Sequence, residues 1–396
     1  MDMLKHTCPL VFTLALAALA GPACIDLDQQ TEIEDLRILA VRLDPPELLY
    51  SPFLSLPADQ RPPPMFRPPP PFPAAVQEVR ATVLAADPRS DEPVAFTSFI
   101  CPASGNDTCR NYQLPDELEE TERDTDELRA SLDPLIARRG SWAVPVDSFG
   151  TLQGQLGPYS FNERAIEYIL PHGPDGAAVI LLENLARVVL YAEQDGIREV
   201  AFRRIPFNAY LDLSFLPPDA QEQFEEFLGV QVCNAEQSAA KDPDCLWLRE
   251  PNRNPVIDEL RYSRDGAKPE YDEDGIDSRE FGETITGPIA MAPGEDLRLW
   301  PVMADDARED YQSFGFDLES STITLDNFKE DLAVSWYASV PFNYQPLTDL
   351  VVSLGYDTQF TYPSEELDPP DEIMIYIVVR DQRGGVTWQT VELVKE

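Results

Sequence analysis

Cys101 and Cys109, followed by Cys233 and Cys245, form two close pairs in a 396-residue chain with six cysteines. Closed locally as disulfides they would make loops of nine and 13 residues, each contributing roughly 2.5–3 kcal/mol in the chain-entropy account. Zinc is the competing use of four thiolates. Neither pair has the C-x₂₋₄-C spacing that sets two sulfurs on one tetrahedral ion, so the pattern predicts two bridges.

Other reactive groups are scarce. The two histidines are His6, near the start, and His172 in Pro171-His172-Gly173-Pro174. A Ser–His–Asp triad would have to use His172, and no G-x-S-x-G elbow supplies its serine. Zinc hydrolases usually take two or more His ligands. Neither G-x-x-x-x-G-K-S/T nor G-x-G-x-x-G occurs, so no phosphate cradle is predicted. Paired carboxylates could hydrolyse glycosides, but 71 acids against 30 bases offer no means of choosing a pair. One acidic stretch has a pattern of its own. Glu270 to Glu280 (EYDEDGIDSRE) sets carboxylates around a Gly turn, as calcium loops do, with Asp272, Asp274, Asp277 and Glu280 as candidate ligands. It misses the EF-hand register: with Gly275 at position 6, position 12 is Phe281, where a bidentate Glu belongs. A solvated acidic loop explains the same residues, and Asp305-Asp306 and Glu309-Asp310 make weaker cases. No cofactor is expected apart from this calcium alternative.

The first 23 residues read as an export signal. Lys5 and His6 precede an apolar run of eleven residues, Leu10 to Ala20, where a bilayer span would take about 20. Two processing sites compete. Ala18-Leu19-Ala20 is an A-x-A site that would release a soluble product. Gly21-Pro22-Ala23-Cys24 resembles a bacterial lipobox, although Gly21 and Pro22 stand where Leu and then Ala or Ser are usual. Cleavage after Ala20 leaves an odd number of cysteines in an oxidising compartment, whereas a lipidated Cys24 leaves the four paired ones. The count favours Cys24 as lipid anchor, with 24–35 as a polar tether. The expected location is the cell envelope, as an outer-membrane lipoprotein with the membrane as one partner. A secreted or periplasmic soluble protein is the alternative. The net charge of −41 argues against nucleic acid, because phosphate binding needs Lys and Arg to release counterions.

The 38 prolines predict a loop-rich, mainly β chain. Leu36–Leu43 (LRILAVRL), Val76–Ala86 and Val94–Ile100 read as strands, with an extended proline tract at 61–73 between the first two. Leu114, Leu118, Leu128, Leu132 and Ile136 recur at mostly helical spacing, so 115–139 reads as an acidic helical insert. Phe161 to Ile169 reads as a short helix with Asn162 as N-cap. Arg187 to Ile205 reads as a hairpin turning at Asp195-Gly196. Residues 216–253 form a connector with Pro217-Pro218, a short amphipathic helix around Phe224, Phe227 and Leu228, and the second cysteine pair. A second β domain covers 254–396, where NPVIDELRYS opens it as LRILAVRL opens the first, at 36–215. Leu297–Met303 and Leu332–Val340 add strands, the latter with Trp336 as a core residue. Ile373–Arg380 and Val386–Val394 flank Asp381-Gln382-Arg383-Gly384-Gly385, which marks a hairpin.

Three of these segments form a set. ILAVRLDPPE, ICPASGNDTC and VVRDQRGGVTW resemble parts of lipoproteins with immunoglobulin-like domains from myxobacteria and related soil bacteria. The last also resembles the closing strands of PKD-like and cadherin-like sandwiches. The resemblance covers 36–109 and 254–396. It implies two immunoglobulin-like antiparallel β-sandwich domains, the first bearing the helical insert. It brings no catalytic residues. The expectation is a non-enzymatic lipoprotein that binds, adheres or scaffolds, with a protein or glycan partner and an oligomeric state that the sequence leaves open. A carboxylate-dependent glycan hydrolase and a calcium-stabilised adhesion module are the alternatives.

Overall fold

Two β-sandwiches with the same strand wiring lie against each other in the computed structural model. It describes residues 33–55, 73–74, 76–90, 92–102, 140–163, 166, 184–212, 218–264, 281–317, 322–340, 357–368 and 370–396. The export signal with Cys24, most of the proline tract, the acidic insert, Cys109, His172 and the loop with Asp272, Asp274, Asp277 and Glu280 lie outside the described residues.

The first sandwich contains β1 (Arg37–Asp44), β2 (Leu48–Tyr50), β3 (Val76–Ala86), β4 (Val94–Pro102), β5 (Gly140–Val144), β6 (Thr151–Asn162), β7 (Asn184–Gln194) and β8 (Ile197–Ala209). Its sheets run β1-β3-β6 and β2-β8-β7-β4-β5. Helices α1 (Pro218–Leu228) and α2 (Ala235–Ala239) follow in the connector. The second sandwich begins with β9 (Ile257–Ser263), β10 (Glu283–Thr284), β11 (Ile289–Met291), β12 (Asp296–Met303), β13 (Asp310–Asp317) and β14 (Thr322–Lys329). It continues with β15 (Leu332–Ala338), β16 (Thr358–Thr361), β17 (Glu372–Asp381) and β18 (Val386–Lys395). Its sheets run β10-β9-β12-β16 and β11-β18-β17-β15, and β13 pairs with β14 as a separate hairpin.

The wiring repeats. In each sandwich the opening strand, β1 or β9, pairs antiparallel with β3 or β12. The chain then crosses to the other sheet, where β2 or β11 lies parallel to the last strand, β8 or β18. That last strand forms an antiparallel hairpin with β7 or β17, which pairs in turn with β4 or β15. This is the A-B-E and C-F-G division of the immunoglobulin fold. The chain is therefore mainly β, as its prolines and turn spacing predict. The β7–β8 turn is made by Asp195 and Gly196, at φ values of 52° and 81°. A two-residue hairpin turn requires such backbone, and Asp-Gly supplies it.

Alternation fills the two cores. In β7, Ala186, Val188, Leu190 and Ala192 face the first core. In β17, Ile373, Ile375, Ile377 and Val379 face the second, together with Trp336. The intervening Met374, Tyr376 and Val378 are also buried, in a cluster with Leu39, Ala40, Leu84 and Ala86 of the first sandwich. The unbroken apolar run of β17 is thus a strand covered on both faces. Polar contacts reinforce this docking. Arg380 Nη2 donates to Leu39 O at 2.8 Å, and the Thr151 and Tyr376 hydroxyls lie 3.0 Å apart. Burial pushes the Tyr376 phenol up to about 12.

Two segments depart from the sequence expectation. β6 runs through Asn162, which pairs with Val76, so Phe161 and Asn162 belong to a strand and the helix begins after them, at Glu163. Phe161 lies in the first core, edge-on to Phe207 with ring centroids 5.2 Å apart. Only Glu163 and Ile166 of the predicted helix are helical among the described residues. Gly154, Gly157 and Pro158 conceal β6, and the last two fall where the register with β3 shifts between Val79 and Ala81. The other is the β13–β14 hairpin, in a stretch to which the sequence assigns no element. Its Phe314 and Leu325 pack against the first core, so its placement depends on the other sandwich.

Candidate functional site

Two of the segments that carry the family resemblance meet in space. Glu47 ends the Asp44-Pro45-Pro46-Glu47 turn between β1 and β2, and Arg383 lies in the β17–β18 turn. Docking of Met374, Tyr376, Val378 and Val386 on the first sandwich carries that turn to its rim. The turn is shaped locally by Asp381, whose Oδ1 accepts from Gly384 N and Gly385 N, each at 2.6 Å. Gly385 has no room for a side chain, since a Cβ there would lie 2.7 Å from Arg253 O.

Glu47 is 1% exposed and accepts four hydrogen bonds. Oε1 takes Asn208 Nδ2 at 2.7 Å and Arg249 Nε at 3.0 Å. Oε2 takes Asn252 N at 2.8 Å and Arg383 Nη2 at 2.6 Å. Burial opposes ionisation of this carboxyl. The Arg249 and Arg383 guanidiniums, with the Asn252 and Asn208 donors, outweigh it and hold the group below the ordinary carboxylate range.

Arg383 also faces a second buried acid. Its Nη1 lies 3.3 Å from Glu330 Oε1 and 3.4 Å from Glu309 Oε2, and its guanidinium sits 5.2 Å from the Tyr311 ring centroid. Glu330 is 0% exposed and accepts one backbone hydrogen bond, from Glu309 N at 3.1 Å. Burial pushes its carboxyl up to about 7, and the Asp381 charge adds to the rise. Arg203 of β8 donates to Gly384 O, and burial lowers its guanidinium to about 10.

The connector supplies the third wall. Cys233 and Cys245 are joined by a disulfide with Cα atoms 5.1 Å apart, and Trp247 Nε1 donates to Asp242 O at 2.6 Å. Trp247 N donates to Gln312 Oε1 at 2.7 Å, tying the connector to β13. Arg249 and Asn252 follow directly. Arg253 pairs with Asp306 and Glu309, and Asn254 bridges Leu43 O at 2.7 Å and Val386 N at 2.9 Å.

Of the cysteines named from sequence, Cys101 lies in β4 opposite Arg187, while Cys109 lies outside the described residues. Asp306 and Glu309, weak calcium candidates in the sequence, are engaged by arginines. Among the described residues no three His, Cys, Asp or Glu side chains are grouped to hold a metal, and no helix is long and apolar enough to cross a membrane. A groove of 290 Å³ on the second sandwich is lined by Leu260, Ile285, Pro288 and Gln389, with Glu392 as its carboxylate. Sequence reasoning did not select Glu47, Arg249, Asn252, Glu330 or Arg383. The available signal was a charged residue at the turn of each of two motifs.

No protein-family model matches the chain, and no curated protein matches its sequence. Among solved structures it is similar to red sea bream transglutaminase, at 7% identity over 92% of this chain and 32% of that one, with a TM-score of 0.21. It is similar to latent PorU from Porphyromonas gingivalis at 8% identity, over 91% and 24% of the two chains, TM-score 0.18. Salmonella alpha-2-macroglobulin gives 10% identity, 91% and 17% coverage and a TM-score of 0.17. The chain spans a third or less of the length of these proteins. Superpositions this loose bear on neither fold nor activity.

Proposed function

We propose that this chain is a non-enzymatic module of the cell envelope, tethered by lipid on Cys24, that binds or scaffolds a protein or glycan partner. The supporting observation is the junction between the sandwiches. An apolar face containing Leu39, Leu84, Met374, Tyr376 and Val378 joins them, and a sealed ion cluster lies beside it. Domains sharing a large apolar interface do not move independently, which suits a scaffold that holds its outer loops in fixed relation. Glu47 and Glu330 converge on one guanidinium, yet both are shut away from any sugar substrate. The anchor reading rests on Gly21-Pro22-Ala23-Cys24 and on the cysteine count.

Mass spectrometry of the mature protein tests the anchor, with acylated Cys24 expected as the first residue. A free Gly21 terminus without acyl mass would sink it. Incubation with native envelope glycans tests the rest of the proposal. Retention of the protein without new reducing ends is expected, and release of reducing ends would replace this reading with the hydrolase alternative.

A further inference from the structure

We propose that the Asp381–Gly385 turn and the first sandwich form a proton-controlled clamp, in which loss of a proton from Glu330 releases the turn. Arg383 stands between two buried acids and serves them unequally. It lies 2.6 Å from Glu47 Oε2 but 3.3 Å from Glu330 Oε1. Glu47 has donors on both oxygens, whereas Glu330 has one backbone N–H and the long Arg383 contact. Glu47 therefore carries its charge in the closed junction and Glu330 keeps its proton.

The surrounding charges reinforce that division. On the turn, Asp381 faces Glu330 with the same sign. From the β12–β13 connection comes the Glu309 carboxylate, already bound by Arg253 and Arg383. Arg308 is directed elsewhere, donating to Glu330 O at 2.6 Å and to Asp331 Oδ1 at 3.3 Å. β13 presents the Tyr311 ring, and the first sandwich presents Glu47. Once ionised, Glu330 adds a buried negative charge among carboxylates and competes with Glu47 for Arg383. Lifting the turn lets water reach Glu330 and relieves that cost.

The sign follows from linkage. Glu330 titrates at about 7 in the closed junction against its ordinary 4.5, so the closed form binds more protons between those values. The closing constant then falls roughly tenfold for each pH unit that rises through this window, and levels off above it. Glu47, held low by its arginines, acts oppositely and weakens the clamp only at more acidic pH.

Hydrogen exchange on the purified chain reads the clamp at the Val386 amide, which donates to Asn254 Oδ1 outside the turn. After correction for intrinsic exchange, its protection is expected to fall on the order of a hundredfold from pH 5 to pH 8. Glu330→Gln is expected to abolish that dependence. Protection that stays flat in the natural chain, or a dependence that survives in Glu330→Gln, overturns the proposal. If Glu330→Gln fails to fold, Asp381→Asn decides, since it keeps the acceptor oxygen and removes the neighbouring charge. The fall is then expected to be smaller and to end at lower pH, and an unchanged profile overturns the clamp.

Discussion

Replacing Arg383 with Met probes the junction most directly. Met preserves an apolar stem against Tyr311 and removes every donor. Glu47 keeps Asn208, Arg249 and Asn252, while Glu330 keeps only the Glu309 amide. Removing one partner of a buried ion pair typically costs about 3–5 kcal/mol, because the other charge stays buried without compensation. The remaining Arg249 contact at 3.0 Å places this case at the lower end, at about 3 kcal/mol. Against total stabilities of about 5–15 kcal/mol that is a large fraction. Urea unfolding at pH 7, followed by tryptophan fluorescence, measures it. Adding Glu47→Gln completes a double-mutant cycle, with a coupling of about 0.5–3 kcal/mol expected for groups in direct contact. A loss below about 1 kcal/mol, or additivity of the two changes, would mean that the pair behaves as a solvated surface bridge and would refute the reasoning.

Further expectations concern the docking face and the connector. Leu84→Asp sets a charge at a fully buried position between the sandwiches; calorimetry should then resolve two unfolding transitions, and one cooperative transition would contradict the assigned interface. Tyr376→Phe removes the 3.0 Å contact with Thr151 and should cost about 1 kcal/mol in urea unfolding, whereas a neutral change would show that the hydroxyl pair contributes nothing. Replacing Cys233 and Cys245 together with Ser should cost roughly 2–3 kcal/mol and raise exchange at the Asn252 amide, which donates to Glu47. Unaltered exchange there would separate the disulfide from the junction.

Much of the fold is legible because its signals are local. Asp195-Gly196 marks the β7–β8 turn through backbone that those residues adopt readily. The closing hairpin is evident from two β-prone runs across Gly384-Gly385, and the Cys233–Cys245 proximity from close spacing. Where local signals conflict with packing, packing prevails. Gly154, Gly157 and Pro158 read as interruptions, yet β6 pairs along β3 through a register shift. Phe314 and Leu325 hold β13 and β14 by contacts with a sandwich that precedes them in the chain, so no periodicity within the hairpin announces its position.

By itself the sequence determined the β class and the apolar strand at Ile373–Arg380, since these depend on side-chain type over a few neighbouring residues. Only the tertiary structure decided what covers that strand. Glu47 and Arg383 are 336 residues apart, and docking of Met374, Tyr376 and Val378 brings them within 2.6 Å. The same docking gives two similar glutamates different partners. Glu47 is buried with four donors and Glu330 with fewer, and under desolvation that difference in partners shifts the two carboxyls in opposite directions, Glu47 down and Glu330 up to about 7.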